Sequence, residues 1–330
     1  MTRNKIVIIG CGSIGERHLR AFLANDRIGV IAAETQAGLR ERIATTHHIE
    51  AVADYRDLLR RDDVVAALVA TPAPSHVSIA THVLESGRHV LIEKPLSLDQ
   101  SGLDQLVALR DASKRVAAVA YVYHFIPAVV AARDFIRQGS FGPVLHATVA
   151  CGQHFPTYRP AYRDIYYARK ESGGGAIQDA LTHIANAVDW TLGPATTLVA
   201  EAAHQCLEGV AVEDTVNVLT RQGRALVSYQ LNQFQSPNEI VFDFHSAGGS
   251  VRIEIHHQRW GTFAHGAGSW TWHDSPVPDR DFLFQNQARA FVEAMEGRPT
   301  RLATLEEGIR AVAFNQAAFQ SIEEGRKILL

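Results

Sequence analysis

The chain has 330 residues, of which 46% are hydrophobic and 20% are charged, and its net charge is −3. A chain of this length and composition is typical of a globular protein with room for two domains. The charge excludes the strongly basic surface that binds nucleic acid or an anionic membrane. The three cysteines, Cys11, Cys151 and Cys206, are odd in number and far apart, which does not suggest a disulfide framework. No apolar run is long enough to cross a bilayer and no signal-peptide pattern is present, so we expect a cytoplasmic protein.

The first predicted strand ends in a glycine-rich turn. In residues 5–15, KIVIIGCGSIG, an apolar run is followed by three glycines with the spacing G-x-G-x-x-G, and an amphipathic helical pattern covers 14–23. Gly10 permits the tight turn, Gly12 lets a diphosphate approach the backbone, and Gly15 lets the helix pack closely. This order of strand, turn and helix predicts a dinucleotide site at the helix N-terminus. The expected contacts are Gly10, Gly12, Ser13, Ile14 and Gly15.

The second predicted strand, Ile28–Ala33, is followed directly by Glu34. A carboxylate at this position can accept hydrogen bonds from both hydroxyls of a ribose and repels a 2′-phosphate. The next two residues, Thr35 and Gln36, are not basic. The pattern therefore predicts NAD as the cofactor, with NADP disfavoured. The alternative is a glutamate that is solvated at the end of a strand.

Strand and helix patterns alternate up to residue 123, as expected of a parallel sheet with crossover helices. Further strands are predicted at 51–53, 64–70, 90–92 and 116–122, and helices are predicted to end near residues 48, 60, 85 and 114. These elements predict a doubly wound NAD-binding domain over residues 1–123.

Two polar motifs follow predicted strands at the edge where such a sheet binds its ligand. Thr71-Pro72-Ala73-Pro74-Ser75-His76 follows the run 64–70, and Glu93-Lys94-Pro95 follows the run 90–92. A lysine at this strand end would lie over the cofactor and hydrogen-bond a substrate hydroxyl or developing alkoxide; the alternative is a solvated loop lysine. The expected cofactor contacts are Thr71, Pro72, His76, Glu93 and Lys94.

The second half of the chain has longer alternating runs, separated by Gly, Asn and Pro. Strands are predicted at 144–150, 196–205, 215–221, 225–231, 240–246 and 251–256, and helices at 128–138, 176–192, 281–296 and 304–324. This pattern predicts an α+β domain over residues 124–330 with an open, largely antiparallel sheet.

Asp179 and His183 are four residues apart on the predicted helix 176–192, directly after three glycines, 173–175. Residues at i and i+4 share a helix face, and an Asp–His pair can accept a substrate proton near neutral pH. The glycines would allow another molecule to approach the backbone. The alternative is an incidental pair on a surface helix.

The segment before these glycines, residues 151–172, is rich in arginine and tyrosine. Arginine suits a carboxylate or phosphate, and tyrosine suits the faces and hydroxyls of a sugar. The predicted substrate contacts are Tyr158, Arg159 and Arg163 together with Lys94, Asp179 and His183. The alternative use of the two arginines is in salt bridges at a subunit interface.

Two pairs of adjacent histidines, at 47–48 and 256–257, are the obvious candidates for metal ligands. Neighbouring side chains point apart on a helix or strand, so we predict no metal site.

Four motifs together resemble the glucose–fructose oxidoreductase / inositol dehydrogenase / rhizopine-catabolism (Gfo/Idh/MocA) family of NAD(P)-dependent oxidoreductases. They are GCGSIG at 10–15, TPAPSH at 71–76, EKP at 93–95 and GGGAIQDALTH at 173–183. The resemblance spans nearly the whole chain. It implies an N-terminal Rossmann domain, a C-terminal domain whose open sheet forms a homodimer or homotetramer, and hydride transfer to or from a sugar or cyclitol carbon.

The family's lysine, aspartate and histidine match Lys94, Asp179 and His183. The resemblance implies an NAD-dependent dehydrogenase acting on a secondary hydroxyl of a sugar, sugar acid, nucleotide sugar or cyclitol. His183 would accept the hydroxyl proton, Asp179 would orient it or the substrate, and Lys94 would stabilise the oxygen. The same fold also serves glycosidases that retain NAD and non-catalytic sensors, although retention of all three residues argues against a sensor. The chain departs from the family pattern at Ala73, His124, Leu181 and Asn186.

Overall fold

The computed structural model describes residues 4–330. Its strands, numbered in chain order, are β1 (Lys5–Ile9), β2 (Gly29–Ala33), β3 (Ala51–Val52), β4 (Val64–Val69), β5 (His89–Ile92), β6 (Ala117–Val119), β7 (Val144–Gly152), β8 (Ala195–Ala203), β9 (Thr215–Gln222), β10 (Ala225–Asn232), β11 (Glu239–Ser246), β12 (Gly249–Glu254), β13 (Arg259–Ala264), β14 (Thr271–Asp274), β15 (Ala303–Thr304) and β16 (Ile328–Leu329). Its helices are α1 (Ser13–Leu23), α2 (Ala37–His47), α3 (His76–Glu85), α4 (Leu103–Ser113), α5 (Pro127–Gln138), α6 (Phe155–Tyr158), α7 (Thr182–Leu192), α8 (Asp281–Met295) and α9 (Leu305–Glu324).

The first sheet is the doubly wound sheet that the sequence predicts. Its order is β15-β6-β5-β4-β1-β2-β3, in which β1 to β6 run parallel and β15 is antiparallel to β6. Both β1 and β4 are almost entirely apolar and buried, as expected of strands covered by helices on both faces. The strand order reverses between β1 and β4, and ligands bind at the carboxyl ends of strands beside such a reversal.

The chain forms two compact units. The first consists of the residues up to Val122 together with Pro278–Ile309, and the second of Tyr123–Val277 together with Arg310–Leu330. The sequence instead predicted one break after residue 123, with all later residues in the second domain. The difference has a physical cause, because α8 packs against α1 and β15 extends the first sheet at β6.

Apolar and ionic contacts both hold α8 on α1. The ring of Phe291 meets the ring of Phe22 edge-on, with centroids 6.3 Å apart. Arg20 donates to the Asp281 carboxylate at 3.1 Å. The partly exposed ion pair contributes little, whereas burial of each phenylalanine contributes about 1.5–3 kcal/mol. Apolar packing is therefore the main reason that α8 belongs to the first unit.

The second unit contains a nine-stranded sheet in the order β14-β13-β12-β11-β7-β10-β9-β8-β16. Its neighbours are antiparallel except for β7 and β10. Buried and more exposed residues alternate along β9 and β10, because one face is packed and the other is solvated. Tyr229 and Phe242 lie on the packed face, whereas Val199, Leu219 and Leu226 are exposed on the open face. This is the open antiparallel sheet that the sequence predicts.

Two helical predictions differ in detail from the structure. Residues 55–60, predicted as a helix, form a short 3₁₀ turn at Leu58–Arg60. The predicted helix 176–192 begins with a π-helical turn, Ile177–Leu181, and continues as α7. Turns of this kind have wider i→i+5 hydrogen bonds and are frequent at functional sites. Across residues 4–330, no helix combines the length and the apolar character needed to cross a membrane.

Candidate active site

The glycine turn joins β1 to α1. Gly10 has a φ of +85°, and a Cβ atom there would lie 2.9 Å from the carbonyl oxygen of Ala70. A Cβ atom on Gly15 would lie 1.9 Å from the carbonyl oxygen of Gly10, so a larger residue would push α1 off the turn. A Cβ atom on Gly12 would meet no atom of residues 4–330 within 4 Å. The protein's own backbone therefore explains Gly10 and Gly15, while the space beside Gly12 is available to a ligand.

The N-terminus of α1 starts inside this turn. Ser13 and Ile14 form its first turn, where backbone N–H groups have no partner within the helix and attract an anion. Cys11 of the turn is buried, and burial raises the pKa of its thiol to about 12. Its thiol therefore stays protonated at neutral pH, which agrees with a packing role rather than a redox role.

Glu34 is buried at the carboxyl end of β2 and is bonded to the glycine turn. Its Oε2 accepts a hydrogen bond from the backbone N–H of Cys11 at 2.8 Å, and its Oε1 accepts one from Gln36 at 2.9 Å. The Thr35 hydroxyl also donates to Oε1, at 3.4 Å. A carboxylate has about four acceptor sites, so one remains, on Oε2, for a ribose hydroxyl. The carboxylate thus holds the turn and can also bind a ribose.

We expect the protein to bind NAD at least about 10²-fold more tightly than NADP, because a carboxylate facing a 2′-phosphate costs several kcal/mol. Calorimetric titration with each dinucleotide measures this ratio without any knowledge of the substrate. Glu34→Gln should lower the ratio while its amide oxygen still accepts the hydrogen bond from Cys11. Tighter binding of NADP than of NAD by the unaltered protein would show that Glu34 does not select the cofactor.

The two polar loops after β4 and β5 are joined by a buried histidine. His76 is 1% exposed, and its Nε2 lies 2.7 Å from the Thr71 carbonyl oxygen. Its Nδ1 lies 2.9 Å from the Pro95 carbonyl oxygen. Both ring nitrogens therefore contact backbone, and the position of His76 favours support of the loops over direct contact with a cofactor. Thr71 and Pro72 lie on the first of these loops and are partly exposed or exposed.

Glu93 is also buried beside Lys94. Its Oε1 lies 2.6 Å from Nε2 of His18 on α1, and its Oε2 accepts a hydrogen bond from the backbone N–H of Lys94 at 3.1 Å. These contacts favour a supporting role for Glu93, whereas Lys94 itself is partly exposed at the end of β5. The sequence analysis did not select His18. The feature that could have identified it is its position as a polar residue on the buried, apolar side of α1, three residues after Gly15.

In the second unit, Asp179 lies in the π-helical turn and is 3% exposed. The Tyr166 hydroxyl donates to its Oδ1 at 2.6 Å, and Nη1 of Arg159 donates to its Oδ2 at 3.3 Å. The negative charge of Asp179 raises the pKa of the Arg159 guanidinium. The carboxylate is thus charge-balanced within its own unit. Tyr166 was not selected from the sequence, because one tyrosine in a tyrosine-rich segment carries no distinguishing signal.

Two of the three glycines before this turn have an explanation within the protein. A Cβ atom on Gly174 would lie 2.1 Å from the Tyr167 carbonyl oxygen. Gly175 has a φ of +92°, and a Cβ atom there would lie 2.5 Å from the carboxylate of Glu213. This carboxylate accepts a hydrogen bond from the N–H of Ile177 at 3.0 Å, and burial raises its pKa. Close packing around the start of the helix therefore accounts for Gly174 and Gly175, and the expectation that the glycines admit another molecule stays a prediction.

His183 lies on α7, four residues after Asp179, and its ring stacks on Tyr123 with centroids 5.2 Å apart and an interplanar angle of 16°. The two departures from the family pattern on this helix, Leu181 and Asn186, are both buried. His124 is buried as well and stacks on Trp190 at 4.1 Å. The stack on Tyr123 restricts the orientation of the imidazole of His183.

The three predicted substrate residues of the arginine- and tyrosine-rich segment have different surroundings. Tyr158 is 53% exposed. Arg159 is bonded to Asp179, whereas Arg163 donates from Nε to the Glu208 carbonyl oxygen at 2.8 Å and lies over the Tyr162 ring. Arg159 therefore contacts the segment that bears the predicted acid–base residues, whereas Arg163 contacts Glu208.

The prediction that the side chains of neighbouring histidines point apart is wrong for His256 and His257. The rings of His256 and His257 lie with centroids 4.2 Å apart, because residues 255–257 form a 3₁₀ turn rather than a strand. With Glu254 they offer three ligand atoms within 4.8 Å of one another. The Arg259 guanidinium donates to the same carboxylate at 2.7 Å and so already balances its charge.

Comparison with known proteins agrees with this geometry. A model of an oxidoreductase family with an NAD-binding Rossmann fold matches residues 4–121, and a model of the GFO/IDH/MocA C-terminal domain matches residues 129–259. The rhizopine catabolism protein MocA of Rhizobium meliloti is 25% identical over 96% of this chain and 95% of its own. A dTDP-3,4-didehydro-2,6-dideoxy-alpha-D-glucose 3-reductase of Saccharopolyspora spinosa is 29% identical over 66% of this chain, which spans 65% of that relative.

The fold is that of a solved levoglucosan dehydrogenase in complex with NADH and levoglucosan. The two chains share 20% identity, each is 99% covered, and the TM-score is 0.88. Both family models, the strand order and the glycine turn lead to the same conclusion. This chain belongs to the Gfo/Idh/MocA family of NAD-binding oxidoreductases.

Proposed function

We propose that the protein is an NAD-dependent dehydrogenase that acts on a secondary hydroxyl of a sugar, sugar acid, nucleotide sugar or cyclitol. The observation that carries this proposal is the buried Asp179 carboxylate, bonded to Tyr166 and Arg159 on the helical segment that also bears His183. A family of NAD-binding oxidoreductases whose named members include dehydrogenases and reductases of sugars and inositol supports it.

In the oxidation direction, His183 accepts the proton of the substrate hydroxyl. Lys94 donates a hydrogen bond to the same oxygen and stabilises the negative charge that develops there. Asp179, charge-balanced by Arg159, positions the substrate or the imidazole. Acceptance of the hydride from the carbon is the chemistry that bound NAD supplies. Gly12, the first turn of α1 and Glu34 would hold the dinucleotide.

The proposal is tested by incubating the protein and NAD with a panel of neutral and acidic sugars, their glycosides, and cyclitols. Accumulation of NADH, followed by its absorbance, is the expected result. Release of sugar from a glycoside without net NADH formation would instead identify a glycosidase that retains NAD. Binding of NAD and a sugar without either reaction would identify a sensor.

The substrate contacts that we propose are Tyr158 and Arg159. The Nη1 of Arg159 makes its contacts with Asp179 and Tyr166. A guanidinium has five N–H donors, so others are available to a substrate oxygen. Arg163, bonded to Glu208, is the weaker candidate.

Arg159→Ala should lower the ratio of kcat/KM for an acidic sugar to that for its neutral counterpart, such as glucuronate to glucose, by about 10- to 100-fold. This is the loss expected for a hydrogen bond to a charged group. The ratio is informative because any effect that passes through Asp179 changes both substrates and cancels. Arg163→Ala should change the ratio less. An unchanged ratio in Arg159→Ala would exclude an anion-binding role, and dissociation of an oligomer, measured by light scattering, would assign the arginines to an interface.

We also propose that a second copy of the chain covers the open face of the nine-stranded sheet, giving a homodimer or homotetramer. Val199 and Leu219 are paired across β8 and β9 and are 41% and 61% exposed, and Leu226 of β10 is 52% exposed. Apolar side chains exposed together in this way favour burial against a partner. A cytoplasmic location stays a prediction.

A further inference from the structure

Lys94 lies between two residues that are each held by a buried histidine. The residue before it, Glu93, has its carboxylate 2.6 Å from Nε2 of His18. The residue after it, Pro95, has its carbonyl oxygen 2.9 Å from Nδ1 of His76. Both histidines are at most 1% exposed. Burial of a polar group costs free energy unless the group is hydrogen-bonded. Loss of either histidine contact would therefore be costly, and the two contacts hold Glu93 and Pro95 in place.

His18 connects Glu93 to the cofactor helix. It lies on α1, which starts in the glycine turn, and the Phe284 ring meets its imidazole edge-on at 5.0 Å. The Oε2 of Glu93 in turn accepts from the backbone N–H of Lys94. A continuous path of hydrogen bonds therefore runs from α1 to the backbone of Lys94.

His76 makes the corresponding connection on the other side. Its Nε2 contacts the carbonyl oxygen of Thr71 and its Nδ1 that of Pro95. Carbonyl oxygens only accept hydrogen bonds, and a neutral imidazole has a single N–H, so the ring donates to one of the two carbonyls in each tautomer and to both only when protonated. The imidazole thus lies at hydrogen-bond distance from both the loop after β4 and the turn after β5.

We infer that His18 and His76 are positioning residues, which together hold Lys94 in a fixed place relative to the NAD-binding turns. This inference rests on the proposed catalytic role of Lys94. Neither histidine contacts the reacting atoms. His18 acts through Glu93, and His76 acts through the backbone of Thr71 and Pro95.

The two functions of His76 can be separated by two amide side chains. The amide nitrogen of asparagine takes the place of Nδ1, and that of glutamine takes the place of Nε2. His76→Asn should therefore keep the contact with Pro95, and His76→Gln the contact with Thr71. We expect the Kd for NAD, measured by calorimetry, to be about tenfold higher in His76→Asn than in His76→Gln. At saturating NAD, we expect kcat to be about 10- to 100-fold lower in His76→Gln, because Lys94 is then misplaced.

His18 offers a matched pair that tests the other side independently. Glutamine can retain the hydrogen bond from the position of Nε2 to Glu93, and asparagine cannot reach it. His18→Asn should lower kcat more than His18→Gln, with the sugar or cyclitol that reacts fastest in the substrate panel. The melting temperatures of all four variants are measured as well. If the histidines had a purely structural role, the variants with the lowest kcat would also have the lowest melting temperatures.

Equal Kd and equal kcat in the two His76 variants would overturn the inference, as would His18 variants that differ in melting temperature but not in kcat. Lys94→Ala separates this failure from failure of the proposed function. If Lys94→Ala turned over normally, the catalytic role of Lys94 would be wrong, while the difference in Kd between the His76 variants would still decide whether the imidazole positions the NAD-binding loop.

Discussion

Lys94→Ala is expected to lower kcat about 10²–10⁴-fold, the range for a group that donates to a reacting oxygen. The loss should fall on kcat rather than on the Kd for NAD, because the glycine turn, α1 and Glu34 are unchanged. Steady-state kinetics with the best substrate of the panel, together with calorimetric titration of NAD, measures both quantities.

Lys94→Arg is the matched control for charge. A guanidinium keeps the positive charge but is planar and larger, so it cannot take the position of an ammonium. We expect it to recover less than a tenth of the lost activity. Full activity in Lys94→Arg would show that the site needs only a positive charge, and near-normal turnover in Lys94→Ala would place the chemistry on other residues.

His183→Ala is expected to lower kcat by a similar factor, about 10²–10⁴-fold, because it removes the group that accepts the hydroxyl proton. Added imidazole should restore part of the activity of His183→Ala, because it can accept the proton in place of the missing side chain. A damaged fold would not be restored in this way. Steady-state kinetics with and without imidazole therefore distinguish a lost base from a damaged fold.

Asp179→Asn gives the comparison for this experiment. The amide oxygen can still accept the hydrogen bond from Tyr166, while the charge facing Arg159 is lost. We expect a smaller fall in kcat than in His183→Ala, with no restoration by imidazole. If Asp179→Asn lost more kcat than His183→Ala and imidazole restored neither variant, the proposed role of His183 as the base would be wrong.

Local patterns in the sequence were enough to predict the cofactor side of the molecule. The glycine turn and the strands that lead to Glu34 and Glu93 each depend on a few consecutive residues, and the first sheet follows from their order. The uses of Gly10 and Gly15 could be predicted because a dinucleotide turn always requires close approach of its own backbone.

Contacts between residues far apart in the chain could not be predicted in this way. Glu93 and His18 are separated by 75 residues, and Glu213 and Ile177 by 36. The periodicity of the sequence contains no signal of such pairs. The packing of Gly174 against the Tyr167 backbone and of Gly175 against Glu213 therefore could not be predicted. Arg159 and Arg163 were equivalent in the sequence, and the fold alone separates them.

The return of residues 278–309 to the first unit has a consequence for synthesis on the ribosome. Domains generally fold as units in the order in which they emerge. Here the edge of β6 stays uncovered, and Phe22 and Leu19 lack the partners Phe291 and Ala288, until α8 and β15 have been made. The nascent NAD-binding unit therefore stays incomplete, with an open strand edge, while every strand of the second sheet except β16 is translated.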